Sequence, residues 1–177
     1  SGTRTAVSVG ALITAVALFA ALVVMIHSFR QTVEFWTYET IKGDLFLTSK
    51  MGEINRFRFA VPQEVMDHLK RYTSEVDILP NRRFFLSYGK FPYEFELLDM
   101  QGFMRYAAFF WLKGDPGTIR PMLKRGEGVV VSEVFSNRTG LTVGDVFEAQ
   151  IEESRVKLPI LGIVRDYRTQ GGVVFYS

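Results

Sequence analysis

Cysteine is absent from the 177 residues, which removes disulfides, cysteine-ligated zinc and thiol catalysis together. Histidine is scarce. His27 and His68 are the two present, too few for an all-histidine catalytic metal site. Neither has a catalytic neighbourhood, because His27 closes an apolar run and His68 sits on a polar helix face. An excess of one charge is also missing: 21 basic against 19 acidic residues leave a net charge of +2, with no concentrated basic face for nucleic acid. The chain has no phosphate-binding loop, since Gly126 and Gly128 are followed by no Gly-Lys-Ser/Thr and read as a turn before Val129. It has no Gly-x-Ser-x-Gly elbow either. Glu152-Glu153 is a carboxylate pair, yet neighbours on a strand or turn point apart, and general acid/base chemistry needs converging groups. It reads as a solvated hairpin tip. We therefore expect no catalytic residue, no cofactor and no metal in this chain.

What the chain does have is one long uncharged run. Residues 5–26, TAVSVGALITAVALFAALVVMI, make a helix about 33 Å long, enough to cross a hydrocarbon core of about 30 Å. A cleaved signal peptide fits less well, because its apolar core is shorter and ends at a small-x-small site, whereas this run ends in Val23-Val24-Met25-Ile26. A buried core helix would keep a polar stripe, and only Thr5, Ser8 and Thr14 are polar here. No Asp, Glu, Lys or Arg lies within the run, which argues against a proton relay or ion pathway along it. Ala6, Gly10, Thr14, Ala17 and Ala21 recur at three- and four-residue spacing. Such small residues permit close helix–helix approach, although an alanine-rich span shows similar stripes by chance, and both readings stand. The flanking charges, Arg4 on one side and Arg30 and Lys42 on the other, assign no orientation.

Helical spacing continues past the span. Phe29, Val33, Trp36 and Thr40 recur on one face with charges between them, which predicts a stalk ending at a left-handed Gly43. Trp36 and Tyr38 also suit an interfacial aromatic belt. Residues 44–49 and 56–61 alternate like strands. Pro62 opens a helix through Tyr72 with Val65, Met66, Leu69 and Tyr72 on its apolar face. Residues 82–88 and 93–98 form a hairpin around Gly89-Lys90, with Pro92 at the strand's edge. Residues 103–112, FMRYAAFFWL, are the most aromatic run, and Phe109, Phe110 and Trp111 either close a core or meet a hydrophobic partner. Asp115 caps a short helix begun by Pro116. Then come a strand at 129–131, a helical segment over 133–138 stopped by Gly140, a hairpin of 146–151 with 156–166, and a strand over 173–176. The fold class is α+β. We expect a transmembrane helix over 1–28, a stalk over 29–43, one lobe over 44–125 and a second, β-rich lobe over 126–177, with the native polypeptide continuing beyond.

The order of these motifs resembles a permease unit of the MacB/FtsX/LolC-LolE family of ABC transporters. The resemblance begins with Arg4-Thr5-Ala6-Val7-Ser8-Val9 entering the span, then Gly43-Asp44-Leu45-Phe46-Leu47, Pro62-Gln63-Glu64-Val65 and Leu112-Lys113-Gly114-Asp115-Pro116. It continues through Gly126-Glu127-Gly128-Val129-Val130-Val131-Ser132-Glu133, Gly140-Leu141-Thr142-Val143-Gly144-Asp145, Gly162-Ile163-Val164-Arg165-Asp166-Tyr167 and Gly171-Gly172-Val173-Val174-Phe175-Tyr176. It implies a helix whose N-terminus is cytoplasmic, in the inner membrane, and a periplasmic domain with a porter-like α/β lobe and the β-rich lobe. It implies partners as well: the lipid bilayer, an ABC ATPase subunit that carries the ATP, a second permease unit or homodimer mate, and a periplasmic adaptor or lipoprotein cargo. The same resemblance makes Phe29, Val33 and Trp36 the mechanical link between ATPase and periplasm. An extracytoplasmic sensor domain of a signalling receptor is the alternative, distinguished by the number of membrane spans in the full gene. A monotopic enzyme ranks third, for want of a catalytic constellation.

Overall fold

The computed structural model describes residues 2–40, 43–50, 52, 59–72, 75–151, 153–167, 169 and 171–177, with backbone alone at 35, 36 and 38–40. It divides into two compact units, Ser1–Tyr38 and Glu39–Ser177. Helix α1 runs unbroken over Gly2–Thr40, and its 39 residues extend about 58 Å at about 1.5 Å per residue. Within it, Gly2–Glu34 is long and apolar enough to cross a membrane. Its large side chains, from Leu12 and Phe19 to Ile26, are exposed all round, as a lipid-facing helix requires and a soluble one avoids. The hydroxyls of Ser8, Thr14, Thr32 and Thr37 donate to the carbonyls of Arg4, Gly10, Ser28 and Val33 at 2.8–3.0 Å. Within the apolar run, Ser8 and Thr14 thus carry their own partners into an apolar setting.

The segment after α1 departs from the alternation in the sequence. The expected helix stop at Gly43 follows residues 41 and 42, which lie outside the described residues. Residues 44–49 form no strand, and Leu45, Phe46 and Leu47 are exposed. Alternation marks a strand only where a neighbouring strand pairs with it and one face is covered; here neither occurs among the described residues. Of the expected strand at 56–61, residues 56–58 lie outside the described residues and 59–61 are irregular. Helix α2 spans Gln63–Leu69, followed by a 3-10 turn at Lys70–Tyr72. Pro62 is its N-cap, with ψ 143°, and not its first helical residue. The predicted apolar face is partly covered: Met66 and Leu69 are half-buried, while Val65 and Tyr72 stay exposed, and no residue of the helix is fully buried.

Beyond residue 80 the expected hairpins, strands and helices are present, together with a helix over 100–106 and a strand over 110–113 that the sequence pattern did not place. β1 (Asn81–Tyr88) and β2 (Phe91–Leu98) form an antiparallel hairpin about Gly89-Lys90. Pro92 pairs with Ser87 ahead of the point where β2 acquires its second neighbour at Glu94, so its missing N–H breaks no ladder there. α3 (Met100–Tyr106) is capped by the Asp99 carboxylate, which accepts from Gln101 and Gly102 at 3.1 Å. β3 (Phe110–Lys113) leads into α4 (Pro116–Lys124), where Asp115 caps and Pro116 occupies the first turn. β4 (Val129–Ser132), α5 (Glu133–Thr139), β5 (Val146–Ile151), β6 (Ser154–Arg165) and β7 (Val173–Tyr176) complete the domain. Gly140 ends α5 at φ 77°, the left-handed position for which glycine has no steric penalty. The β5–β6 turn is tighter than expected, because Ile151 already pairs with Ser154.

The strands join in one sheet of order β1-β2-β7-β4-β6-β3, with β5 pairing the first half of β6. The chain's last strand therefore lies in the middle, parallel to β2 and antiparallel to β4. Strands from both sides of the expected boundary between lobes over 44–125 and 126–177 share a single hydrogen-bonded path. Two cores do exist, but they are the two faces of the sheet. Val129, Val131 and Val174 join Tyr93, Phe95, Phe135 and Phe147 on one face. Val130, Val173 and Phe175 join Met100, Phe103, Ile119 and Leu123 on the other. Covering both faces explains why β4 and β7 read as unbroken apolar runs.

Phe135 carries α5 into the first core, with its ring 5.1 Å from Tyr93, 5.8 Å from Tyr88 and 5.9 Å from Phe147. Phe135→Ala should cost about 3–5 kcal/mol through lost burial and the cavity left behind. Urea denaturation of the detergent-solubilised chain should show a correspondingly earlier midpoint for the 39–177 unit.

Candidate functional site

The surface of α1 carries two sets of predicted residues. Projected at about 100° per residue, Ala6, Gly10, Thr14, Ala17 and Ala21 fall within an arc of about 80°. A side chain added at Gly10 would meet open space. Phe29 and Val33 are exposed at 70% and 43%. The backbone positions of Phe29, Val33 and Trp36 share an arc of about 60°, centred about 100° round the helix from the small-residue stripe. The ion pair Arg30–Glu34, 3.0 Å across one turn, marks a polar side of the same segment. The structure brings these residues onto one continuous helix but not onto one line.

The aromatic trio divides between the two faces of the sheet. Phe109 and Trp111 pack on the second core, Phe109 lying 4.8 Å from Phe103 and 4.9 Å from Phe175. Phe110, paired in register with Arg165, points to the opposite face, with the Arg165 guanidinium 5.6 Å from its ring. Arg165 also bonds Glu133 at 3.2 Å, and Glu133 and then Tyr167 hold its guanidinium above its ordinary pKa.

Motifs far apart in sequence meet around β7. The buried Ser132 hydroxyl caps α5 by accepting from the Phe135 N–H at 3.3 Å and also accepts from the Val173 N–H at 2.8 Å. One side chain thereby fastens the start of α5 to the start of β7. Gly172, at φ 93°, lies against Phe135 so closely that a Cβ would sit 2.9 Å from its backbone nitrogen. The Ser132-Glu133 and Gly171-Gly172 motifs are thus two halves of one joint, and their chemistry is assembly of the sheet.

Sequence reasoning missed a buried ionic cluster. Glu94 and Glu96 are 7% and 0% exposed on β2, beside Val173 and Phe175 of β7 in register. The Arg83 Nε lies 3.3 Å from Glu94 and 3.7 Å from Glu96, and the Asn81 amide donates to Glu96. The readable signal was Glu at alternate positions in FPYEFELL, which places both acids on one face of an otherwise apolar strand. Charges so buried persist when paired, and Arg83 ties the edge strand β1 to β2 through them.

An open pocket is lined by Asp77, Ile78, Leu79, Asp99, Gln101, Gly102 and Arg105. Its carboxylates are engaged: Asp99 caps α3, and Asp77 accepts from the Tyr106 hydroxyl and from Arg105 at 2.7 Å. Tyr106 first, then Arg105, hold Asp77 below the usual carboxylate range. Tyr106→Phe should raise that pKa toward its ordinary value, readable by carbon-13 NMR of the carboxyl group; an unchanged titration would contradict the contact. Because the folded pKa is depressed, the contribution of Asp77 to stability is present above its unfolded pKa and is lost as pH falls through the folded one. Among the described residues no group of three or more His, Cys, Asp or Glu gathers in metal-binding geometry.

No protein-family model matches the chain. A Mycobacterium tuberculosis (strain ATCC 25618 / H37Rv) protein described as an uncharacterized ABC transporter permease is 24% identical over 174 residues, covering 97% of this chain. The chain spans 20% of that relative's length. The likeness runs through both the apolar helix and the α+β domain, and supports a relationship to ABC transporter permeases.

Proposed function

We propose that this chain is a segment of a permease of the MacB/FtsX/Lol type, which couples ATP hydrolysis in the cytoplasm to movement of an extracytoplasmic domain. The observation that carries the reading is the joint one: a single apolar helix leading into an α+β domain, alike over nearly its whole length to part of an ABC permease. Residues 1–28 cross the inner membrane with the N-terminus in the cytoplasm. Residues 29–43 form the stalk, and the domain beyond stands in the periplasm. ATP is bound and hydrolysed by a separate ATPase subunit or domain, and this chain itself is non-catalytic. Ala6, Gly10, Thr14, Ala17 and Ala21 meet a helix of a second permease unit or homodimer mate. The cargo is hydrophobic, a lipid or lipoprotein, received directly or through a periplasmic adaptor.

Orientation is tested with single cysteines at Lys70 and Glu153 in the full-length protein. Both should react in intact cells with a membrane-impermeant thiol reagent that reaches the periplasm but not the cytoplasm. Reaction only after lysis would reverse the proposed topology. The full-length protein, affinity-tagged and solubilised from membranes, should co-purify with an ABC ATPase. Recovery without any ATPase, in a detergent that preserves other ABC complexes, would overturn the permease reading.

A further inference from the structure

We draw no further inference here: the strongest candidate, the open apolar face of α2 with its exposed neighbours Phe59, Tyr72 and Val76, carries nothing, because nothing in the structure shows what covers it.

Discussion

Val174→Asp should leave the 39–177 unit without a folded core. Val174 is fully buried, and it stands in register with Phe95 of β2 on one side and Val131 of β4 on the other. Its neighbours in the first core are aromatic and aliphatic, with no cation among the clustered residues to meet a new carboxylate. The substitution forfeits about 1.5–3 kcal/mol of side-chain burial and adds the several kcal/mol needed to bury or neutralise an unpaired acid. Together these losses rival the about 5–15 kcal/mol that typically stabilises a domain. Near-UV circular dichroism of the solubilised chain should lose its aromatic signal, while the far-UV helical signal of α1 persists. Val146→Asp is the control, since Val146 is 53% exposed on β5 and should change little. A folded Val174→Asp domain would mean that β7 does not occupy the centre of the sheet.

The second large effect concerns α1. Proline at Val33 removes the N–H that bonds the Phe29 carbonyl and sets its ring against that same carbonyl, costing about 3 kcal/mol or more and kinking the helix. Val33 lies beyond the uncharged run, in the part of α1 that we propose transmits displacement from the ATPase to the periplasm. The core residues of the domain and the side chains packed on them all lie beyond residue 80, so its folding should not depend on Val33. Val33→Pro should therefore leave membrane insertion, abundance and association with the ATPase near normal while abolishing transport or regulatory output in cells. Val33→Ala, which keeps the helix, should be mild. Full output from the proline variant at normal abundance would show that α1 is not the transmitting element.

How much of this was legible in the sequence depended on how local the signal was. Asp115-Pro116 and Gly140 announce helix ends through contacts within three or four residues, and the structure places a helix end at each. Gly89-Lys90 between two β-rich runs likewise gave its hairpin. The order of the strands was not legible, because pairing β7 with β2 and β4 joins residues about 80 and 40 positions apart and leaves no periodic trace. The same nonlocality hid the Arg83–Glu94–Glu96 cluster, whose acids are unremarkable in one dimension and buried in three. Residues 44–49 failed in the opposite sense: their pattern was right for a strand, yet a strand exists only with a neighbour. Of the predicted site residues, those of α1 share one continuous helix, and the aromatic trio split because alternate residues of a strand face opposite ways.

The central position of β7 also orders events during synthesis. β1, β2, β3, β4, β5 and β6 all leave the ribosome before residues 173–176, but until then the β1–β2 hairpin and the β4–β6–β3 group have no strand between them. Each presents a row of unpaired backbone N–H and C=O groups to the same vacant slot. For that interval the nascent domain is open to any extended segment that fits, which is the exposure that chaperones guard and that aggregation exploits. In the folded domain the four residues of β7 fill that gap, with the Ser132 hydroxyl accepting from the Val173 N–H.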